Sequence, residues 1–553
     1  MKIRTTLTLI TLLILMTVST VSAQENKKIR LVHFSDYHSH AVPFYSNGAD
    51  DTAGIARTIA YIKPLASDPN TLILNGGDMI NKGSPAWSDK YQCVEWPWFN
   101  GIVDAMAFGN HEADYGPEVF AQCQAQIDYP ILGSNVLDAN GQPLFQEDGK
   151  TYKVFEVDGI KIGVFANAGP DFERLLTEET LPVEGATFAD HIEVSRDVVK
   201  ALREEEKVDA VVVIGHALYE DDVALAQAVP GIDLIFGSHS HRTEELQVIP
   251  GTETYFISPF QYLTFISDLE LTFDNGVLTD VSGGLVEMNS DLPEDPDIAQ
   301  QVATMQAELE ADPDYAHLFV TLGESNVELS TADQFTSEAV LGNFVTDIVR
   351  TSAESHMAIF TASGFRAPIA PGTILEEDLL TALPYKNAVF VYDMTGDQIQ
   401  TLLDYSVSRS ESDFFSQVSG IRFNIVDEKA TNIQIVDDPT DPASSYSALD
   451  SAKTYRVATS NFQGLFAGGY KEIFAEATYV ETGLDVWDEV RKYIQTNSPI
   501  SVGLDGRIVT GAPDTLPTAG DTQTTEPGLL LMIGLGLIIV GVGVHRRIAQ
   551  PQI

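Results

Sequence analysis

The chain has 553 residues, a length that exceeds one ordinary hydrophobic core and indicates two or more folded domains. It carries 80 acidic against 32 basic side chains, for a net charge of −48. Such a surface repels DNA and RNA, so the charge argues against a nucleic-acid polymer as a partner. A small phosphorylated substrate remains compatible, provided that metal ions or a few arginines reverse the field locally.

Residues 1–23 have the features of a secretory signal peptide. A basic start with Lys2 and Arg4 precedes an apolar stretch, and Val21-Ser22-Ala23 is a small-residue cleavage pattern. A retained membrane anchor is the alternative interpretation. Export would permit a disulfide between Cys93 and Cys123, the two cysteines of the chain.

From residue 27 to residue 290, short apolar runs alternate with longer mixed segments. The runs include IRLVHFSD, TLILNGGD, KIGVFANAG, DAVVVIGHA and IDLIFGSHS. Continuous apolar runs of this length predict strands that are buried on both faces. The segment is therefore predicted to be a layered α/β domain.

Polar side chains follow five of the apolar runs at the point where each run ends. They are Asp36 with His38, Asp78, Asn110 with His111, His216, and His239 with His241. Because α/β sheets gather ligands at the carboxyl ends of their strands, we expect these groups to converge. Carboxylate, amide oxygen and imidazole together suit hard or borderline divalent cations, and the set is large enough for two ions. Two ions suit phosphoester hydrolysis, since they can hold both the nucleophile and the phosphate.

These motifs resemble the calcineurin-like metallophosphoesterases, and specifically the 5′-nucleotidase family of exported enzymes, over about residues 28–501. The resemblance implies a four-layer αββα catalytic domain with two divalent ions, whose identity (Zn, Mn, Mg or Co) stays open. It implies that one ion is held by Asp36, His38 and His241, the other by Asn110, His216 and His239, and that Asp78 bridges both. Ser39 stands where the family usually has glycine.

The same resemblance assigns His111 and Asp114 to the catalytic dyad of the family. The metals would lower the pKa of a water, and the hydroxide would attack phosphorus in line with the leaving alkoxide. His111 would help to neutralise charge on the phosphoryl oxygens, and Asp114 would orient His111. Glu112 has no place in this chemistry, so we expect a structural role for it in the turn.

Residues 291–321 predict a capped, polar linker helix, and a second mixed α/β region follows at 322–505. The resemblance continues there and implies that this region binds a nucleoside between two aromatic rings, with an arginine on the phosphate. Arg366, Gly364, Tyr385 and Phe462 match those substrate-binding positions.

Several departures from the family pattern lie on the substrate side. Thr361-Ala362-Ser363-Gly364 stands where the family has Asn-Gly-Gly-Gly, and the spacing from Phe462 to the Gly468-Gly469 pair is longer than usual. Tyr470 replaces the aspartate that contacts the sugar in the family. These departures leave the metal positions intact, and Phe466 stays an alternative to Phe462 for the second ring.

The carboxyl end is predicted to anchor the chain. Residues 506–527 indicate a flexible stalk, and residues 528–545 a transmembrane or sorting-signal helix followed by Arg546 and Arg547. The sequence LPTAG at 516–520 resembles the sortase sorting signal, with Ala519 in place of threonine. We therefore expect an exported protein at the outer face of the membrane or at the cell wall. Its oligomeric state is left open.

Together these features predict a cell-surface, two-metal phosphohydrolase that releases phosphate from 5′-nucleotides or related nucleotides. One alternative is a UDP-sugar or 2′,3′-cyclic nucleotide phosphodiesterase of the same family. Another is a catalytically inactive surface binding or adhesion protein on this scaffold. The inactive scaffold predicts lost ligands, whereas all seven metal positions and the dyad are present.

Overall fold

The structure is a computed structural model that describes residues 26–46, 48–441 and 443–511. The predicted signal peptide and the predicted helix at 528–545 lie outside the described residues. Within the described ranges, no helix is both long enough and apolar enough to cross a membrane.

The first region, residues 27–287, is built from strands and short helices in alternation. Its strands are β1 (Lys27–Phe34), β2 (Phe44–Ser46), β3 (Ala49–Thr52), β4 (Thr71–Asn75), β5 (Ala105–Ala107), β6 (Ile131–Leu132), β7 (Val136–Leu137), β8 (Tyr152–Val157), β9 (Ile160–Phe165), β10 (Thr187–Phe188), β11 (Ala210–Val213), β12 (Leu234–Phe236), β13 (Thr243–Val248), β14 (Tyr255–Pro259), β15 (Phe265–Asp274) and β16 (Val277–Glu287). Its helices are α1 (Ile55–Leu65), α2 (Ala86–Tyr91), α3 (Pro117–Gln124), α4 (Phe172–Leu175), α5 (His191–Lys200) and α6 (Tyr219–Ala228), with a 3-10 helix at Trp96–Phe99 and a π-helical segment at Ala201–Glu206.

Two six-stranded sheets form the centre of this region, in the orders β16-β15-β1-β4-β5-β6 and β13-β14-β12-β11-β9-β8. One apolar core, which includes Leu31, Leu74, Val164 and Val212, lies between the sheets. Helices α1 and α3 share a core with the outer face of the first sheet, and α5 and α6 share one with the outer face of the second. The region thus has the four αββα layers that the resemblance implied.

The strands that carry the predicted ligands run parallel within each sheet. In the first sheet β1 pairs in parallel with β4, β4 with β5, and β5 with β6. In the second sheet β11 pairs in parallel with both β9 and β12, and β12 pairs in parallel with β14. The carboxyl ends of each set consequently lie along one edge of their sheet.

Helix α7 (Pro296–Ala311) lies within the predicted linker at 291–321. Asp295 caps it, since its side chain accepts hydrogen bonds from two backbone N–H groups of the first turn, and proline occupies the first helical position. Ile298, Val302 and Leu309 are buried against the core of the first region. The linker helix is therefore packed along its length on that region.

The second region, residues 321–510, is again mixed α/β. Its strands are β17 (Thr321–Ser325), β18 (Met357–Thr361), β19 (Gly372–Leu375), β20 (Ala388–Thr395), β21 (Ser416–Ser419), β22 (Ile421–Val426), β23 (Lys429–Val436), β24 (Tyr446–Ala448), β25 (Thr454–Ser460), β26 (Thr478–Asp485) and β27 (Ile508–Thr510). Its helices are α8 (Val340–Ser352), α9 (Glu376–Ala382), α10 (Gly396–Ser408), α11 (Asn461–Leu465), α12 (Tyr470–Phe474) and α13 (Val486–Asn497), with 3-10 helices at Ala316–Phe319, just before the region, and Ala362–Gly364. Its larger sheets have the orders β21-β18-β25-β20-β26 and β24-β23-β22-β27.

The predicted boundary at residue 505 is too early. Strand β27 pairs in parallel with β22, and Ile508 is buried in the second region. Arg507 is also buried and forms an ion pair with Asp347. Residues 506–510 therefore belong to the folded region, and the predicted stalk cannot begin at residue 506.

Candidate functional site

The predicted metal ligands of the two sheets meet at the carboxyl ends of their strands. Asp36 and His38 follow β1, Asp78 follows β4, and Asn110 follows β5 in the first sheet. In the second sheet, His216 follows β11, while His239 and His241 follow β12. The cluster is thus built across the edge that the two sheets share.

Asp36, His38, Asp78 and His241 form a first group whose ligand atoms all lie within 4.8 Å of one another. The Nε2 atoms of His38 and His241 are 3.0 Å apart, and Asp36 Oδ1 is 3.3 Å from His241 Nε2. The Nδ1 atom of His38 lies 3.3 Å from the carbonyl oxygen of Ile80, which leaves Nε2 directed at the group. This set of buried oxygen and nitrogen donors fits a divalent cation.

A second group shares Asp78 with the first and adds His216 and His239, again with ligand atoms within 4.8 Å. His216 Nδ1 donates a hydrogen bond to the Gly76 carbonyl oxygen at 2.7 Å, so the lone pair of Nε2 faces Asp78 Oδ2 at 3.0 Å. The side chain of Asn110 is buried and its Oδ1 has no hydrogen-bond partner. A buried amide oxygen without a hydrogen-bond partner is suited to coordinate a cation.

The backbone is left-handed at many of these positions. Five of the seven predicted ligands have a positive φ between 48° and 61°, namely Asp36, His38, Asp78, His239 and His241. This conformation is uncommon for residues other than glycine, and conformations of this kind cluster at ligand-binding turns. The sharp turns let short loops place side chains at consecutive strand ends inside one cluster.

His111 lies beside the cluster and bonds to Asp114 rather than to a ligand group. Its Nδ1 donates to Asp114 Oδ2 at 2.7 Å, and its ring meets His38 edge-on at 5.0 Å between centroids. Burial alone would lower the pKa of His111, but the charges of Asp114 and Asp78 raise that pKa to about 10. A protonated imidazole is thereby held next to the predicted metals.

Glu112 ties two of the ligand loops together. Its carboxylate accepts backbone N–H bonds from Gly109 at 2.6 Å, Met79 at 2.7 Å and Asp78 at 3.1 Å. Burial, with the nearby charge of Asp78, raises the pKa of Glu112, while the amide donors act in the opposite direction. These bonds give Glu112 the structural role in the turn that the sequence predicted.

The four predicted substrate residues lie around one cavity of about 260 Å³. Gly364, Arg366, Tyr385 and Phe462 all line it. Arg366 also lines a neighbouring cavity of about 390 Å³ that includes His241, so the substrate cavity adjoins the first metal group. Phe462 lines this cavity, whereas Phe466 is 57% exposed and is not among the described residues that line it.

Comparisons with known proteins agree with this arrangement. Residues 29–243 match the family model for calcineurin-like phosphoesterases, and residues 321–476 match the model for the 5′-nucleotidase C-terminal domain. The chain is 26% identical to a 5′-nucleotidase of Vibrio cholerae, over 87% of this chain and 92% of that protein. It belongs to the 5′-nucleotidase family. This membership makes the chain a metal-dependent phosphoric ester hydrolase.

Two further relatives of the 5′-nucleotidase family show how far the likeness extends. The trifunctional nucleotide phosphoesterase protein YfkN of Bacillus subtilis is 28% identical over 87% of this chain, which spans only 35% of that longer protein. The crystal structure of a 5′-nucleotidase precursor from Thermus thermophilus superimposes with a TM-score of 0.69 at 25% identity. The superposition covers 88% of this chain and 99% of that one.

As a member of this family, the enzyme uses two divalent metal ions, and its residues fit them. Burial lowers the pKa of both His38 and His241, which keeps these imidazoles neutral and ready to act as ligands. Burial would also lower the pKa of His216, but the charge of Asp78 raises it to about 10. A cation between His216 and Asp78 would balance the negative charge of Asp78 in place of a proton on His216.

Asp171 is a site residue that the sequence reasoning missed. Its Oδ2 lies 3.0 Å from His239 Nε2, which leaves the other ring nitrogen of His239 for a metal. Carboxylates in this position fix the orientation of a metal-binding histidine. Asp171 follows β9, so the rule that found the other five strand ends could have found it.

Proposed function

We propose that this 5′-nucleotidase-family enzyme releases inorganic phosphate from 5′-nucleotides, at the cell surface or elsewhere outside the cytoplasm. The observation that carries the substrate class is the cavity with Tyr385 and Phe462 in its wall, beside the metal groups. Two aromatic rings around one cavity suit a planar base, because every nucleobase offers a π-face for stacking.

When bound, the two metal ions supply Lewis acidity and an activated water for attack on phosphorus. The protein contributes the rest of the site. Arg366 lines both the ring cavity and the cavity that includes His241, which supports a role in binding oxygens of the phosphate. His111, held by Asp114 through Nδ1, presents its other N–H to the charge that develops on the phosphoryl group.

Export is supported by the disulfide between Cys93 and Cys123, which joins the segment before the 3-10 helix at Trp96–Phe99 to α3. Disulfides persist in oxidising compartments and are rare in the cytosol. The predicted anchor at 528–545 lies outside the described residues and stays a prediction.

One observation supports the phosphodiesterase alternative. Tyr470, which replaces the sugar-contacting aspartate, is fully buried, and its hydroxyl bonds to Ser416 Oγ and the Phe414 carbonyl oxygen, each at 2.7 Å. No carboxylate is thus supplied to a ribose from this position. A 2′,3′-cyclic nucleotide, which has no free 2′- or 3′-hydroxyl for such a carboxylate, is therefore the second candidate substrate class.

The test is phosphate release from AMP, GMP and UMP, compared with cleavage of UDP-glucose and 2′,3′-cyclic AMP to their monoester products, followed by chromatography, with and without a chelator. We expect the monophosphates to be cleaved fastest and all activity to vanish on complete metal removal. His111→Ala should lower the rate on AMP by about 10²–10³ while the metal content is retained. Full activity after metal removal, confirmed by elemental analysis, would refute the metal chemistry. Faster cleavage of UDP-glucose or the cyclic nucleotide would replace the proposed substrate.

A further inference from the structure

The substrate cavity has one wall that comes from the metal-binding region. Among the described residues that line it, every one belongs to the second region except Leu175. Leu175 ends helix α4 and is 38% exposed. A partly exposed leucine at the mouth of an apolar cavity can gain contacts only when something fills the cavity.

The helix that carries Leu175 is fixed at its other end to the metal ligands. Phe172 is fully buried, and its ring centroid lies 6.0 Å from that of His216 and 6.1 Å from that of His239. Asp171 accepts a hydrogen bond from His239, and the amide of Leu175 donates to the Asp171 carbonyl oxygen at 3.0 Å. One short helix thus joins a metal-site contact to a substrate-cavity contact.

We propose that Leu175 covers the base that binds between Tyr385 and Phe462, and that it is a specificity-determining residue for nucleotides. The inference rests on the proposed function, because it needs a base in the cavity. A base bound there touches the second region through the two rings and the metal-binding region through Leu175. The base then makes all three contacts, with the two rings and with Leu175, only when the phosphate of the same nucleotide lies at the metal site.

This arrangement separates two kinds of phosphate ester. A nucleotide such as AMP uses Leu175, whereas ribose 5-phosphate carries the same phosphate and sugar without a base. Removing a few apolar contacts from a pocket changes discrimination by about tenfold. Leu175→Ala should therefore raise the KM for AMP about five- to tenfold, with kcat and the metal content unchanged. The kinetic constants for ribose 5-phosphate should stay within about twofold of the wild-type values.

Leu465 provides a matched control. It is 39% exposed, lies at the end of α11 and is not among the residues that line the cavity. Leu465→Ala should leave both substrates unaffected, and Leu175→Met should largely restore the KM for AMP. If Leu175→Ala behaves like Leu465→Ala with AMP, the inference is wrong. Equal losses with AMP and ribose 5-phosphate would also overturn it, because Leu175 would then act on the metal end.

Binding of adenosine, measured by calorimetry with the metal-loaded enzyme, distinguishes this inference from the proposed function. If the enzyme cleaves other phosphate esters but not AMP, the proposed function fails. In that case, weaker adenosine binding in Leu175→Ala than in Leu465→Ala still supports the role of Leu175. Absence of adenosine binding to the wild-type enzyme would overturn both.

Discussion

Replacement of Glu112 by glutamine should lower the free energy of unfolding of the metal-free protein by about 1–3 kcal/mol. The side chain is 1% exposed, and its two oxygens accept the N–H groups of Gly109, Met79 and Asp78. Glutamine keeps an acceptor at one oxygen position only, so its NH2 group faces a backbone N–H. A hydrogen bond to a charged group contributes about 1.5–3 kcal/mol, and a buried donor without a partner costs about 1–3 kcal/mol.

The assay is urea unfolding, followed by tryptophan fluorescence in the presence of a chelator. It is run at pH 8, where the carboxylate is ionised. Burial and the charge of Asp78 raise the pKa of Glu112, so they disfavour the ionised carboxylate in the folded protein and reduce the expected loss. Glu118→Gln is the control, since Glu118 is an exposed carboxylate in the first turn of α3 and should change stability by less than about 0.5 kcal/mol. A loss below about 1 kcal/mol for Glu112→Gln, or one no larger than that of the control, would refute the reasoning.

Three further outcomes are expected. Asp114→Asn should move the alkaline limb of the pH–rate profile to lower pH. Burial lowers the pKa of His111 and the charge of Asp114 raises it, and activity needs protonated His111, which is lost as pH rises through that pKa. An unshifted alkaline limb would contradict this prediction. Asp171→Ala should weaken metal binding about 10–100-fold, because His239 loses its orienting partner. Wild-type metal content after dialysis against graded chelator would argue against it. Reduction of the disulfide should lower the unfolding free energy by about 3–4 kcal/mol, since it links residues 30 apart in sequence; equal urea midpoints with and without reductant would exclude that contribution.

The positions of the predicted ligands could be derived from the sequence because each follows a buried apolar run. Asp36 after β1 and His216 after β11 are examples, and a parallel strand carries such residues to the edge of its sheet whatever the intervening loops do. Glu112 could be separated from the chemistry because the resemblance assigned roles to the other polar groups of its turn. The catalytic class and the need for two metals follow from this pattern.

Contacts made through loop conformation could not be derived in this way. Asp171 and Leu175 follow β9, but periodicity does not specify how a short loop and one helical turn fold back onto His239 or into a cavity. The end of the second region was missed for a related reason. Strand β27 is three residues long, and only its pairing with β22 shows that Ile508 belongs to the core.

The left-handed turns at the metal ligands lower the stability of the protein at the same residues that its activity requires. A residue other than glycine in a sparsely populated backbone conformation costs on the order of 1–3 kcal/mol, and five ligands adopt the left-handed one. In the metal-free protein, glycine at such a position would relieve the strain of that turn. Selection for heat tolerance alone would therefore erode the site residue by residue, and the requirement to hold cations is what keeps aspartate and histidine in these turns.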